Sequence, residues 1–337
     1  MKAAILYGPH DLKLVETALP VPAADGVLIR VKAMGICGSD LHAYHGKLAT
    51  VVYPRVIGHE VVGEVVETGS AVRKVKAGDH VVMDPVVSCG RCPACRSGRG
   101  NVCRDVKCMG VAAEGGCAEY IVLPEGNVEK IPADIPWEEA ALIEPYTIGA
   151  QVTSRGEVAA GDTVLIMGAG PIGLVVLQAA KRRRAKVIIT DISEGRLELA
   201  RRLDADATVN PQKQDLAVAV SQFTDGYGVD VAVDAVGLPE LFAQAVEHTA
   251  PTGRVVILGF NPSPSQVPEL PITRKELDIR GSRMHAGKFP EVIGWFANKE
   301  VKTTPLISHR FPFAKINDAF KTLESEPDKT CKIIITF

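Results

Sequence analysis

Over the first 147 residues, short apolar runs alternate with glycine and proline. Val27–Val31, Glu60–Glu67, His80–Met83 and Ala118–Val122 are rich in β-forming residues, and turn signals such as Ala77-Gly78-Asp79 and Pro124-Glu125-Gly126 divide them. That spacing predicts an all-β, barrel-like unit. Over 148–282 the pattern changes. Strands are expected at Thr163–Met167, Lys186–Thr190, Ala207–Asn210, Asp230–Asp234, Arg254–Phe260 and about Leu277–Gly281. Amphipathic helices fall between them, the first reaching about Arg183, the others over Glu194–Leu203 and Glu240–Thr249. Such alternation predicts a doubly wound α/β layer, a parallel sheet with helices on both faces. The remainder, 283–337, is expected to hold helices at Phe289–Asn298 and Phe313–Leu323 and a last strand at Lys332–Phe337. The proline-rich stretch Asn261–Pro271 reads as a surface loop.

Composition narrows the field. At roughly 150 residues per domain, 337 residues suggest two domains. An apolar fraction of 46% with 23% charged residues supports a substantial core and argues against disorder. Lys and Arg number 38 against 40 Asp and Glu, a net charge of -2, so no positive field exists to gather nucleic acid or an anionic membrane. The longest apolar runs fall far short of the roughly 20 residues a bilayer requires. Met1–Leu6 reads as a strand rather than a secretion signal, so the expected location is the cytoplasm.

Four of the eight cysteines lie together, as Cys89-x2-Cys92-x2-Cys95-x7-Cys103. Nothing suggests secretion, so a disulfide framework is not expected. Four thiolates at this spacing can wrap one tetrahedral metal ion. The loop around them, Ser88–Arg104, is rich in Gly, Arg and Pro and has little apolar content, so it needs a cross-link to hold a shape. Iron–sulfur spacing ends in x3 followed by Pro; here the gap is x7 and Arg104 follows, which favours structural zinc. Cys108, Cys117 and Cys331 read as ordinary small buried residues.

Gly168-x-Gly170-x-x-Gly173 follows an expected strand and opens an expected helix, the context a dinucleotide-binding turn demands. Gly168 makes the turn, Gly170 lets backbone approach a pyrophosphate, and Gly173 lets helix and strand pack closely. With Pro171 and Ile172 they place a helix N-terminus, with its free N–H groups, against the phosphates. Asp191 ends the next strand; a carboxylate there accepts the ribose 2′-hydroxyl and repels a 2′-phosphate, so NAD is expected over NADP. Arg196 nearby is the one residue that speaks for NADP. In the run Lys181-Arg182-Arg183-Arg184, read as a solvated face, Arg184 stands where a helix end often wants a positive φ, at a cost of about 1 kcal/mol.

Cys37-Gly38-Ser39-Asp40-Leu41-His42, Gly58-His59-Glu60 and Glu144-Pro145 are further groups of possible ligands, each weak alone. Taken in order with Gly58-His59-Glu60-x-x-Gly63-x5-Gly69-x-x-Val72, the four-cysteine lobe and the glycine turn, the chain resembles the zinc-dependent medium-chain alcohol and polyol dehydrogenases over essentially its whole length. Ile143-Glu144-Pro145 resembles the sorbitol and threonine dehydrogenase branch; Tyr53–Glu60, Asp84–Gly90 and Ser308–Phe313 look closest to bacterial galactonate-type sugar-acid dehydrogenases and starvation-sensing dehydrogenase-like proteins. The resemblance implies a GroES-like β-barrel catalytic domain over 1–147, a Rossmann NAD-binding domain over 148–282, and a segment 283–337 returning to the catalytic domain. It implies catalytic zinc at Cys37, His59 and Glu144, with Glu60 able to enter or leave the ligand shell, Asp40 orienting His59, and a structural zinc on Cys89, Cys92, Cys95 and Cys103.

The mechanism this implies is oxidation of a secondary hydroxyl. A metal lowers the hydroxyl pKa. Ser39 takes the proton and hands it through the cofactor ribose to His42 and solvent, and hydride passes to nicotinamide. A sugar acid needs a cation for its carboxylate; Arg283, Lys288 and Lys47 are candidates. The expected substrate is a polyhydroxylated small molecule, polyol or aldonate, with threonine or simple alcohols as alternatives. A zinc-free reductase of the same superfamily lacks the ligand trio. A regulator that keeps zinc and NAD without turnover is the competing class. The edge strand near Leu277–Gly281 suggests a homodimer or homotetramer.

Overall fold

A computed structural model describes residues 1–259 and 261–337. The chain divides into two units: Met1–Glu144 with Phe289–Lys299 and Ile307–Phe337, and Pro145–Lys288 with Glu300–Leu306. The first boundary thus falls at 144/145 and the second at 288/289, and one short segment returns to the second unit. The reason for that return is local. Gln178 Nε2 donates to the Lys302 carbonyl at 3.1 Å and its Oε1 accepts the Lys302 N–H at 2.7 Å. Lys302 Nζ pairs with Asp204 at 2.6 Å, and Arg182 pairs with Glu300.

The first unit is built around one long strand, Gly26–Ile36, buried at all but two of its 11 positions. From Val27 to Gly35 it pairs antiparallel with Glu60–Thr68. Its first half also pairs with Tyr120–Pro124 and its second half with Lys332–Thr336, which explains burial on both edges. The seven-stranded sheet runs from Val128–Lys130 through His80–Met83 to these strands and ends at Ile307–Pro312, parallel to the last strand. A second sheet joins Lys2–Leu6 to Leu12–Glu16 and Arg55–Val56. Val27, Ile29, Val31, Met34, Val61, Val65, Phe320, Ile333 and Ile335 pack into one core, where burying each large side chain contributes about 1.5–3 kcal/mol.

The second unit holds a six-stranded, wholly parallel sheet. Its order in space is Ala207–Val209, Lys186–Thr190, Thr163–Met167, Val229–Asp234, Thr249–Ile257, Asp278–Gly281. Numbered along the chain this is 3-2-1-4-5-6, the nucleotide-binding order, with its switch point between the first and fourth strands. The strand expected over Arg254–Phe260 begins earlier, at Thr249, and ends at Ile257; Phe260 lies outside the described residues. Arg184 does take a positive φ, 63°. Three helices depart from expectation: Ile143–Arg155 and Leu216–Phe223 are additional, and Glu269–Lys275 occupies the end of the expected proline-rich loop. Pro271 is tolerated there because first-turn N–H groups have no partner inside the helix. Among the described residues, no helix is long and apolar enough to cross a membrane.

Candidate active site

Cys37 caps the short helix Gly38–Tyr44, and Asp40, in its first turn, turns back to accept the Cys37 N–H at 2.9 Å. The other oxygen of Asp40 accepts the Gly58 N–H at 3.1 Å and lies 3.8 Å from His59 Nδ1. One buried carboxylate therefore braces both segments that carry ligands. Burial pushes the Asp40 carboxyl pKa up, against the pull of His59 and the two backbone N–H groups. Burial works on His59 in the opposite sense, yet Cys37 and Asp40 outweigh it and hold the imidazole pKa well above its ordinary value.

Glu60 opens the strand beside Cys37 and is buried. Its Oε1 takes the Lys332 ammonium, which also reaches the Ile36 carbonyl at 3.4 Å. Its Oε2 is buried without a hydrogen-bond partner. Space for that oxygen exists because its neighbour across the sheet is Gly35, where a Cβ would stand 2.0 Å away. Burial presses the Lys332 pKa down, but Glu60 and Cys37 more than reverse it, so the ammonium is held charged.

One donor atom each from Cys37, His59 and Glu60 lie within 4.8 Å of one another. Glu144 is buried too, and lies near enough to act electrostatically on both Cys108 and Lys332. The Lys332 anchor and the gap above Gly35 hold Glu60 in that group. Sulfur, imidazole and carboxylate, with an unpartnered buried oxygen among them, fit a divalent zinc ion. Sequence reasoning missed Lys332. Its signal was a lysine beginning an otherwise apolar buried strand, since a buried ammonium demands a partner. Cys108 is also near, its thiol pushed up to about 11 by burial.

Ser39 is half-buried and His42 exposed, three residues apart on one face of the helix Gly38–Tyr44. Arg283, exposed, and Lys288, half-buried, belong to the second unit, and Lys47, exposed, to the first. The structure thus does not bring these three cations together within one unit.

The four-cysteine lobe is a separate centre in the same unit. All four cysteines are free of disulfides and offer sulfurs within 4.8 Å of one another. Cys92 and Cys95 sulfurs stand 3.5 Å apart, Cys89 and Cys95 4.0 Å. Zinc–thiolate bonds of about 2.3 Å in a tetrahedron place sulfurs roughly 3.8 Å apart, between those values. Backbone N–H groups of Cys95 and Arg104 draw the Cys92 pKa down to about 6. The Cys89 and Asp105 N–H groups point at Cys103 Sγ, at 3.4 and 3.3 Å.

In the second unit, Gly168 leaves its strand at a φ of 99° and Gly170 caps the helix Pro171–Arg182, with Pro171 at its first position. Ile172 follows in the first turn. A Cβ on Gly173 would stand 1.8 Å from the Gly168 carbonyl, so helix and turn meet closely only with glycine there. Asp191 ends the adjacent strand. It accepts the Ala169 N–H at 2.8 Å and the Ser193 N–H at 2.9 Å, tying the glycine turn in place, and Arg196 lies 3.7 Å away. A carboxylate has about four lone-pair sites, so a ribose hydroxyl can still be accepted.

Two family models match the chain: an alcohol dehydrogenase GroES-like domain over 23–133 and a zinc-binding dehydrogenase over 171–298. The starvation-sensing protein RspB of Escherichia coli K12 is 40% identical, covering 100% of this chain and 99% of that protein. Sorbitol dehydrogenase of Bacillus subtilis is 37% identical, over 99% and 97% of the two chains. L-galactonate-5-dehydrogenase of E. coli K12 is 34% identical, over 100% and 99%. Among solved structures, the rspB alcohol dehydrogenase of E. coli CFT073, complexed with NADH, superposes with a TM-score of 0.94 at 40% identity, covering 100% of this chain and 99% of that one.

Proposed function

Since this chain belongs to the zinc-type alcohol and polyol dehydrogenases, we propose that it oxidises a secondary hydroxyl of a polyol or sugar acid, with zinc and NAD as its cofactors. The observation that carries this reading is the convergence of Cys37, His59 and Glu60 beside a helix bearing Ser39 and His42.

In this reading Cys37, His59 and one carboxylate, Glu60 or Glu144, hold the catalytic ion. The four-cysteine lobe holds the second. Zinc, when bound, lowers the pKa of a hydroxyl presented to it. Asp40 fixes the His59 ring, Lys332 keeps one Glu60 oxygen turned away, and the other oxygen stays available. Ser39 accepts the substrate proton, and His42, being exposed, delivers it to solvent. Gly168, Gly170, Pro171, Ile172 and Gly173 receive the dinucleotide pyrophosphate. Asp191 receives the ribose and favours NAD, with Arg196 partly neutralised beside it. Arg283 and Lys288 are the candidates for a substrate carboxylate. The first unit's sheets are taken to close as a GroES-like barrel, and the chain is taken to work in the cytoplasm as a homodimer or homotetramer. Its edge strand Asp278–Gly281 is the pairing surface.

The test is a steady-state panel of polyols, aldonates, threonine and simple alcohols with NAD⁺, with metal measured on the same sample. Turnover on polyhydroxylated substrates and two zinc per chain are expected. Activity confined to simple primary alcohols would refute the substrate class. One zinc per chain with no turnover at all favours a zinc- and NAD-retaining regulator instead.

A further inference from the structure

A third group of ligating side chains lies away from both centres: His10, His45 and Glu324. We propose that these three form a surface metal site of two imidazoles and one carboxylate, which takes a divalent transition ion such as zinc.

The donors come from three distant stretches of chain, and each is anchored. His10 sits in the turn between Lys2–Leu6 and Leu12–Glu16 at a φ of 60°, its N–H donating to the Tyr44 carbonyl at 2.8 Å. His45 ends the helix Gly38–Tyr44, its N–H bonded to the Leu41 carbonyl at 3.0 Å. Glu324 lies in the last turn of the helix Ile316–Ser325. Tyr44 joins all three supports. Its ring stands edge-on to His10 at 4.8 Å and 5.0 Å from Phe320, on the helix that carries Glu324. The backbones are therefore set before any ion arrives, which lowers the ordering cost of binding.

His45 Nε2 stands 2.6 Å from Glu324 Oε1, the two imidazole rings are 5.1 Å apart, and one donor atom from each residue lies within 4.8 Å of the others. Around a tetrahedral ion with bonds of about 2.0–2.1 Å, donors stand roughly 3.3 Å apart. Side-chain rotation alone closes that difference, because His10 and Glu324 are exposed and His45 half-buried. Two imidazoles select zinc, nickel or cobalt over the oxygen-seeking magnesium and calcium. Three protein ligands leave a fourth position to water. The competing arrangement is a plain His45–Glu324 ion pair with His10 stacked beside it, which binds no metal.

Protein passed through gel filtration without added metal is titrated calorimetrically with Zn²⁺, beside His10→Asn and Glu324→Gln. Asn tolerates the left-handed turn at position 10, and circular dichroism reports that both variants fold. The expected result is one equivalent bound beyond the zinc retained through filtration, and at least about tenfold weaker binding of that equivalent in each variant. Absence of the additional equivalent in the wild type, or a smaller loss in either variant, overturns the site.

Discussion

Glu60 is placed by room as much as by charge. Gly35→Ala would set a methyl group against Glu60 Oε2, and the flexible carboxylate, not the sheet, must give way. The variant should fold normally, by circular dichroism, and lose about ten- to a hundredfold in kcat; wild-type kcat would remove Glu60 from the working site. Lys332→Met attacks the same group from the other side. It leaves a buried carboxylate unpaired, and urea unfolding should show a loss of about 3–5 kcal/mol at this pair. In the proposed reading, Asp191→Asn removes the charge that opposes a 2′-phosphate. The ratio of kcat/KM with NAD⁺ to that with NADP⁺ should fall, and an unchanged ratio would take Asp191 out of the discrimination.

At the scale of elements, the four-cysteine lobe depends on its ion because its chain buries so little. Cys103→Ser should cost one zinc per chain by elemental analysis and make residues 88–105 the first site of proteolytic nicking. Full metal content with an intact loop would contradict the assignment. This lobe and the glycine turn were legible in the sequence because their parts are neighbours: four sulfurs within 15 positions, three glycines within six. Leu216–Phe223 was not legible, since Leu216-Ala217-Val218-Ala219-Val220 shows no polar face from which to read a helical period. The cue overlooked was Asp215, whose carboxylate accepts the Ala217 and Val218 N–H groups. The Lys332–Glu60 pair and the His10, His45 and Glu324 group were illegible for another reason. Glu60 and Lys332 are 272 residues apart and Glu324 is 279 from His45, and only the folded sheets and helices bring them together.

For the molecule as a whole, acid sensitivity has an identifiable contributor in the second unit. Burial, aided by Lys275 and opposed by Glu247 and Asp215, holds the His248 pKa below its ordinary 6.5. The unfolded chain therefore takes up a proton near pH 6.5 that the folded chain refuses. Stability should be insensitive to this group above about pH 7 and fall as pH drops below 6.5, by no more than about 1.4 kcal/mol per pH unit. His248→Gln should flatten that part of the profile in urea unfolding; an unaltered profile would assign the sensitivity elsewhere.

The pairing of Glu60 with Lys332 also sets an order of events at the ribosome. Glu60 leaves the exit tunnel 272 residues before its ammonium partner, and until then hydration must shelter its carboxylate. By that time all of Pro145–Leu306 has been synthesised. At roughly 5–20 residues per second, the nascent chain can finish its parallel-sheet unit while the first unit still lacks a counter-charge for Glu60. A chain terminated before Lys332 should therefore yield a product that still folds its parallel sheet but leaves Glu60 without its counter-charge.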